Sequence, residues 1–332
     1  MIQANIIGTG SYAPNKILTN FDIEKMLDTS DEWIKTRTGI SERRIAGVKE
    51  ACSDLAVKAS KKALKQAGIK ANDIDLILVA TATPDMLFPS TACMVQLGIG
   101  AKNAFAYDLS AACSGFIYGL SIAEQYIKNR RYKTILLIGS EILSRITNWN
   151  DRSTCVLFGD GAGAVVIRAE KIRKKEGILS THLHSDGHYH DLLFVPGGGS
   201  RIPISEKMIN EKKHFIKMKG NETFKIAVRF MVNAAKEAIS YNGYTIEDVN
   251  LIIPHQANKR IIDAVAKKLS LPKEKVFVNL MKYGNTSAAS IPLALDEAVW
   301  GKQIKKNDII LLTAFGAGFT WGSALIKWSI DS

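Results

Sequence analysis

The sequence predicts an α/β protein built from two related halves, each a mostly parallel sheet covered by helices. Three observations carry this. Apolar strand-like runs alternate with amphipathic helix-like runs along the chain, the pattern of βαβ units. The pattern recurs: SDLAVKASKKALKQAG with the following DIDLILVATATP is echoed by FMVNAAKEAISYNGYTIEDVNLIIPHQAN, Phe230 to Asn258. And 332 residues, 46% of them hydrophobic, are more than one core usually organises.

In chain order, Ala4 to Thr9 reads as a strand, followed by a turn at Pro14 and an acidic helix start. Trp33, Arg37 and Arg44 then form a polar, aromatic surface segment. Ser53 to Gly68 is an amphipathic helix stopped by glycine, and a buried strand follows it. Phe105 to Leu109 is strand-like and runs into a small-residue turn, with a helix beginning at Ser114 or Gly115. Further echoes support duplication at an offset of about 171 to 175 residues: AFAYDL by VFVNLM (Val276 to Met281), and YKTILLIGSE by KNDIILLTAFG. The expected halves are 1–172 and 173–332, joined by the charge run RAEKIRKKEG, a solvated hairpin or connector. Pro196 to Lys219 reads as a surface excursion of the length that often covers an active site.

Composition narrows the function classes. The four cysteines (Cys52, Cys93, Cys113, Cys155) show no CxxC spacing, which argues against zinc and a disulfide framework. No run approaches the ~18 apolar residues of a membrane span, and MIQANIIGTGSYAP is not a signal sequence, so the expected compartment is the cytoplasm. A formal charge of +12 favours anionic partners such as phosphorylated cofactors or acidic carrier proteins. Nucleic acid is disfavoured, because no helix-turn-helix, zinc-finger or aromatic RNA-binding signature is present.

Candidate chemistry centres on DLSAACSGF. Cys113 sits where a strand hands over to a helix, where unpaired N–H groups and the helix dipole favour a thiolate. A small buried core cysteine would look the same locally, so its partners decide. PHQAN places His255, and YGNTSAAS places Asn285, after strands at related points of the repeat. In such sheets, functional groups gather at strand C-terminal ends, so all three are expected to face one cleft. A thiolate nucleophile needs a base or cation nearby, and carbonyl chemistry needs donors; His and Asn supply both. TAFGAGFTWGSAL offers the backbone N–H groups of Gly316 to Gly318 for an oxyanion, and also reads as a hairpin.

Two motifs are set aside. FGDGAGAVVI resembles a dinucleotide fingerprint but runs into a β-branched strand rather than a helix. THLHSDGHYHD carries His182, His184, His188 and His190 within metal-site spacing, yet a solvated strand and turn accounts for them, and no metal is expected.

Taken together, SDEWIKTRTGI, DLSAACSGF, FGDGAGA, PHQAN, YGNTSAAS and AFGAGFTWGSAL, in this order, closely resemble β-ketoacyl-acyl-carrier-protein synthase III. That family consists of condensing enzymes of the thiolase superfamily. The resemblance implies a duplicated five-layer αβαβα fold, a homodimer, and decarboxylative condensation of an acyl-CoA primer with malonyl-carrier protein at the start of fatty acid synthesis. It needs no cofactor beyond the coenzyme A thioester. Family roles fall on Cys113, His255 and Asn285 as catalytic residues, and on Cys113 and Ala317 as oxyanion donors. Coenzyme A contacts fall on Trp33 and Arg152, flanking the adenine, with Arg37 and Asn221 nearby. The acyl pocket takes Phe88, reaching across the dimer, together with Phe158 and Phe315. Carrier-protein docking falls on Lys225, Arg260, Lys267 and Lys268. Ser41 stands where some relatives carry an arginine, which weakens a phosphate contact there.

Two rival readings differ in reaction. A relative of secondary metabolism would move an acyl or aroyl group to another acceptor with the same three residues. A papain-like hydrolase would share the order Cys, His, Asn and the gap of 142 residues between Cys113 and His255, but its CGSCW-type signature is missing.

Overall fold

The computed structural model describes residues 2–171 and 176–330, and the expected boundary at 172/173 lies outside them, as does part of the expected connector. Strands β1 (Ile2–Tyr12), β2 (Leu76–Ala80), β3 (Phe105–Leu109), β4 (Thr134–Ile142) and β5 (Asp160–Lys171) form one sheet, in the order β1-β5-β4-β2-β3. Strands β6 (Gly177–Ser185), β7 (Leu251–Pro254), β8 (Ile309–Gly316) and β9 (Thr320–Lys327) form a second, in the order β7-β8-β9-β6. Every residue of β2 is buried, as expected of a continuous apolar run covered on both faces.

Helix α1 (Asp31–Thr38) packs beside the layers, with Ile34 against Ile23 and Val156, and the long helices α2 (Cys52–Ala67), α3 (Thr91–Ile99), α4 (Gly115–Lys128), α5 (Gly220–Tyr241), α6 (Lys259–Lys268) and α7 (Ser290–Trp300) lie in three layers. Helices α2 and α3 cover the outer face of the first sheet; Ala56, Ala59 and Ala63 of α2 pack with Ile77, Ile138 and Val166. Helices α4 and α7 fill the middle layer, where Phe116, Leu120, Ile291 and Leu295 meet both sheets. Helix α5, with α6, covers the outer face of the second sheet through Val228, Met231 and Ala235. Each fully buried large aliphatic side chain in these layers contributes ~1.5–3 kcal/mol, so the middle layer holds the two sheets together. Gly68 ends α2 in the left-handed conformation, φ 65°, as its place in the repeat predicts.

The sheets depart from expectation in two ways. They are mixed rather than mostly parallel: β4 and β5, β1 and β5, β8 and β9, and β9 and β6 are antiparallel. Between β8 and β9 the cause is length, since the Ala317–Phe319 turn is far too short for the crossover a parallel pair requires. The expected strand at Val276 to Met281 is reduced to one bridge between Val276 and Ile252. Its apolar side chains Val276 and Val278 pack instead on Ile40, Ile262 and Leu280. Among the described residues no helix is long and apolar enough to cross a membrane.

Candidate active site

The N-termini of the two central helices meet, and the candidate site lies where they do. Before α4, Ala112 takes φ 45°; before α7, Ser287 takes φ 49°, so the same tight turn is built in each half. Their contact is close: a Cβ on Gly115 would stand 3.5 Å from the Ala288 Cβ. Cys113 and Asn285 therefore arrive from the two helix entries, and His255 follows β7. All three line one cavity of about 600 Å³.

Their environments differ from a preformed ion pair. Cys113 is 8% exposed, and burial pushes its thiol up to about 12, against the downward pull of Ser287. A helix N-terminus contributes at most ~2 kcal/mol, whereas full burial moves a pKa by up to ~3–5 units, so the expected resting thiolate gives way to a thiol. His255 is fully buried, which holds its pKa down at about 3, and the ring is neutral. Its Nδ1 lies 2.6 Å from Ser290 Oγ, while Nε2 is buried with no hydrogen-bond partner among the described residues. The Gln256 N–H reaches the same hydroxyl oxygen at 3.4 Å, leaving the hydroxyl proton for Nδ1. That arrangement puts the imidazole proton on Nε2, as a donor. Asn285 Oδ1 accepts the Ser287 N–H at 2.9 Å, which turns the side-chain amine the other way.

Cys113 also lines a second cavity of about 460 Å³, with Ala317, Phe158, Leu143 and Ile146. Gly316 passes so near the Cys113 turn that a Cβ there would be 2.7 Å from the Cys113 nitrogen. Phe158 borders both cavities and Phe315 the larger. Phe88 is 84% exposed and borders neither cavity of its own chain. Of the expected surface excursion, Pro196 to Lys219, the end reaches the site: Lys217–Met218 pairs with Leu193–Phe194, which precede it, and Leu193 and Met218 face the larger cavity.

Trp33, Arg37, Asn221, Lys225 and Arg260 line that cavity toward its exposed side. Arg152 does not stand across a gap from Trp33 but lies over its ring, 4.9 Å from the centroid, where a stacked base would sit. Arg37 is 5.9 Å from the same ring, and Arg44 is not part of this group: it lies over Tyr283. Lys267 and Lys268 are exposed at the far end of α6, and Lys268 borders a different groove. Of the four histidines, His182 and His184 share the Glu237 carboxylate, His188 pairs with Asp186, and His190 bonds the Gly187 carbonyl. Among the described residues no group of three or more His, Cys, Asp or Glu is placed to hold a metal ion.

Sequence reasoning missed Glu141, which accepts from the Ser287 hydroxyl, Ser287, whose N–H holds the Asn285 amide, and Ser290, which holds the His255 ring. The last two were inside YGNTSAAS, where serines read as turn residues; Glu141 was visible as the one acid ending the apolar run YKTILLIGSE.

Models of 3-oxoacyl-[acyl-carrier-protein] synthase III match residues 107–187, and of its C-terminal part residues 239–328. The β-ketoacyl-[acyl-carrier-protein] synthase III of Caldanaerobacter subterraneus subsp. tengcongensis is 57% identical over 328 residues, covering 99% of this chain and 98% of its own. That of Natranaerobius thermophilus is 53% identical, covering 99% and 100%. The crystal structure of 3-oxoacyl-[acyl-carrier-protein] synthase III from Aquifex aeolicus superposes with a TM-score of 0.91 at 51% identity, over 98% of this chain and 100% of that one. With relatives this similar along almost its whole length, the chain belongs to the β-ketoacyl-[acyl-carrier-protein] synthase III family, condensing acyltransferases of the thiolase fold.

Proposed function

We propose that the chain condenses an acyl-CoA primer with malonyl-acyl-carrier protein, with loss of CO₂, through an acyl-Cys113 intermediate, and so starts fatty acid synthesis. The observation that carries this is the convergence of Cys113, His255 and Asn285 on one cavity, with His255 neutral and its Nε2 unpartnered. In the first step the Cys113 sulfur attacks the thioester carbonyl, the oxyanion is held by N–H groups at Cys113 and Ala317, and coenzyme A leaves. In the second, the malonyl thioester oxygen accepts hydrogen bonds from His255 Nε2 and the Asn285 amine. These donors stabilise the enolate formed as CO₂ departs; its carbon then attacks the acyl-cysteine and releases the thiolate. A neutral donor suits this step, because it stabilises developing charge without first being deprotonated.

Coenzyme A is assigned to Trp33, Arg37, Arg152 and Asn221, with Arg152 moving off the Trp33 ring to admit the adenine. The primer is assigned to the cavity beside Phe158 and Phe315, with Phe88 offered to the site of a second copy in a homodimer. The carrier protein is assigned to Lys225 and Arg260 at the cavity mouth, with Lys267 and Lys268 further along α6. The chain is read as a cytoplasmic enzyme without metal or other cofactor, its halves dividing near residue 172. Intact-mass detection of acyl-enzyme across a panel of acyl-CoA primers tests the reading: a covalent acyl adduct is expected on the wild type and absent from Cys113→Ala. Normal condensation by Cys113→Ala would sink it.

A further inference from the structure

One buried charged group beside the nucleophile is left without a role. Glu141, at the C-terminal end of β4, is 0% exposed. Its carboxylate accepts from Ser287 Oγ at 3.0 Å, Thr83 Oγ1 at 2.6 Å, Thr81 Oγ1 at 3.3 Å and the Ala82 N–H at 3.1 Å. Each of these donors is neutral. A buried carboxylate is an expensive way to satisfy neutral donors, which an amide or hydroxyl does without burying charge, so the ionisable group itself calls for a function. Ser287 supplies the connection. Its hydroxyl donates to Glu141, and Ser287 lines the smaller cavity together with Cys113. Its N–H also holds the Asn285 amide. His255 is less suited to the first proton, because its Nδ1 is taken by Ser290.

We propose that Glu141, acting through the Ser287 hydroxyl, takes the Cys113 proton when the thiol attacks and returns it when the product is released. Glu141 touches no substrate and is a positioning residue that stores a proton. The inference rests on the acyl-cysteine reading, and the protons balance. The thiol proton passes to Ser287 Oγ as the Ser287 proton passes to Glu141, and the resulting thiolate becomes acylated. Coenzyme A departs as a thiolate and takes a proton from solvent. Condensation consumes the malonyl carboxylate as CO₂ and releases Cys113 as a thiolate, which regains the stored proton by the reverse path.

The surroundings fit such a store. Facing Glu141 are the Cys113 thiol and, from α2, the Cys52 thiol; beyond Cys52 lies Asp85, bonded to Ser53, and neutral His255 lines the larger cavity with Cys113. Burial raises Glu141 to about 7, so the carboxylate changes state near neutrality.

The test is the alkylation rate of Cys113 by iodoacetamide against pH, followed by mass spectrometry of its peptide. In the wild type the rate is expected to rise up to about pH 7 and then level, because the acceptor is fully ionised above that point. In Glu141→Gln and Ser287→Ala the plateau is expected to vanish, with the rate at pH 7 falling at least about tenfold and climbing continuously with pH. A wild-type profile without an inflection between about pH 6 and 8 overturns the proposal, even if neither variant folds. A folded Glu141→Gln or Ser287→Ala protein with the wild-type rate and plateau overturns it as well. Alkylation uses no coenzyme A thioester, so this result is independent of the acyl-enzyme measurement that tests the condensation reading.

Discussion

Nδ1 of His255 lies 2.6 Å from the hydroxyl of Ser290, the first residue of α7, and this contact fixes which ring nitrogen carries the proton. Among the described residues Ser290 is the only side-chain hydrogen-bond partner of this fully buried ring, so Ser290→Ala leaves Nδ1 unsatisfied and frees the tautomer. A loss of ~1–3 kcal/mol in holding the donor is expected, read as a fall of about tenfold or more in malonyl decarboxylation. Acylation of Cys113, which does not use this donor, is expected to stay within about twofold. Measuring both rates on one preparation separates them; a parallel fall in acylation would give His255 a part in the first step.

Gly316 makes room for the Cys113 turn. Its missing Cβ would stand 2.7 Å from the Cys113 nitrogen, 3.0 Å from the Ser114 nitrogen and 3.3 Å from the Ala111 carbonyl oxygen, all backbone atoms that cannot rotate away. Gly316→Ala must therefore move the turn that holds the thiol and the N–H group proposed for the oxyanion. Acyl-enzyme formation is expected to drop by about 10²-fold. Gly187→Ala, with nothing within 4 Å of the added carbon, is the control and should leave the rate unchanged.

Much of this arrangement was legible in the sequence because it is local. Strand, small-residue turn and helix around Cys113, the glycine stop at Gly68 and the hairpin at Ala317 are written in consecutive residues. The repeat also placed His255 and Asn285 at related ends. What sequence could not show was burial, and burial reverses the expected charge states. The helix entry at Cys113 suggested a thiolate, but a nearly closed cavity makes the thiol the resting form. Equally, pairing of Glu141 with Ser287 joins residues 146 apart in the chain, and no periodicity announces it. The failed strand at Val276 has the same origin: its β-branched residues are strand-like, but they pack on Ile40, Ile262 and Leu280 and keep one bridge to the sheet.

Trp33 and Arg152 stack on one another, with the guanidinium 4.9 Å from the ring centroid and held by the Asp28 carbonyl at 2.8 Å. If this pair opens for adenine, Trp33→Ala removes a stacking face worth ~1–3 kcal/mol. The KM for acyl-CoA should rise by about tenfold. Alkylation of Cys113 by iodoacetamide, which needs no nucleotide site, should be unaffected. An unchanged KM would move the nucleotide away from this helix.

Two buried groups of the site make opposite contributions to stability against pH. His255 sits at about 3 against an ordinary 6.5, so below pH 6.5 the unfolded chain binds a proton that the folded one refuses, and stability falls as pH falls toward 3. Glu141 sits at about 7 against an ordinary 4.5, so the folded state is penalised above pH 4.5 and recovers as pH falls from 7 toward 4.5. Between pH 7 and pH 5 each effect amounts to about 2 kcal/mol, and the signs cancel. Urea unfolding midpoints at the two pH values expose the halves. Relative to wild type, His255→Gln should gain about 2 kcal/mol on acidification, because only the Glu141 effect remains, and Glu141→Gln should lose about the same. If His255→Gln instead tracks the wild type, the ring is protonated in the folded protein near pH 5, and the neutral-donor role assigned to Nε2 fails with it.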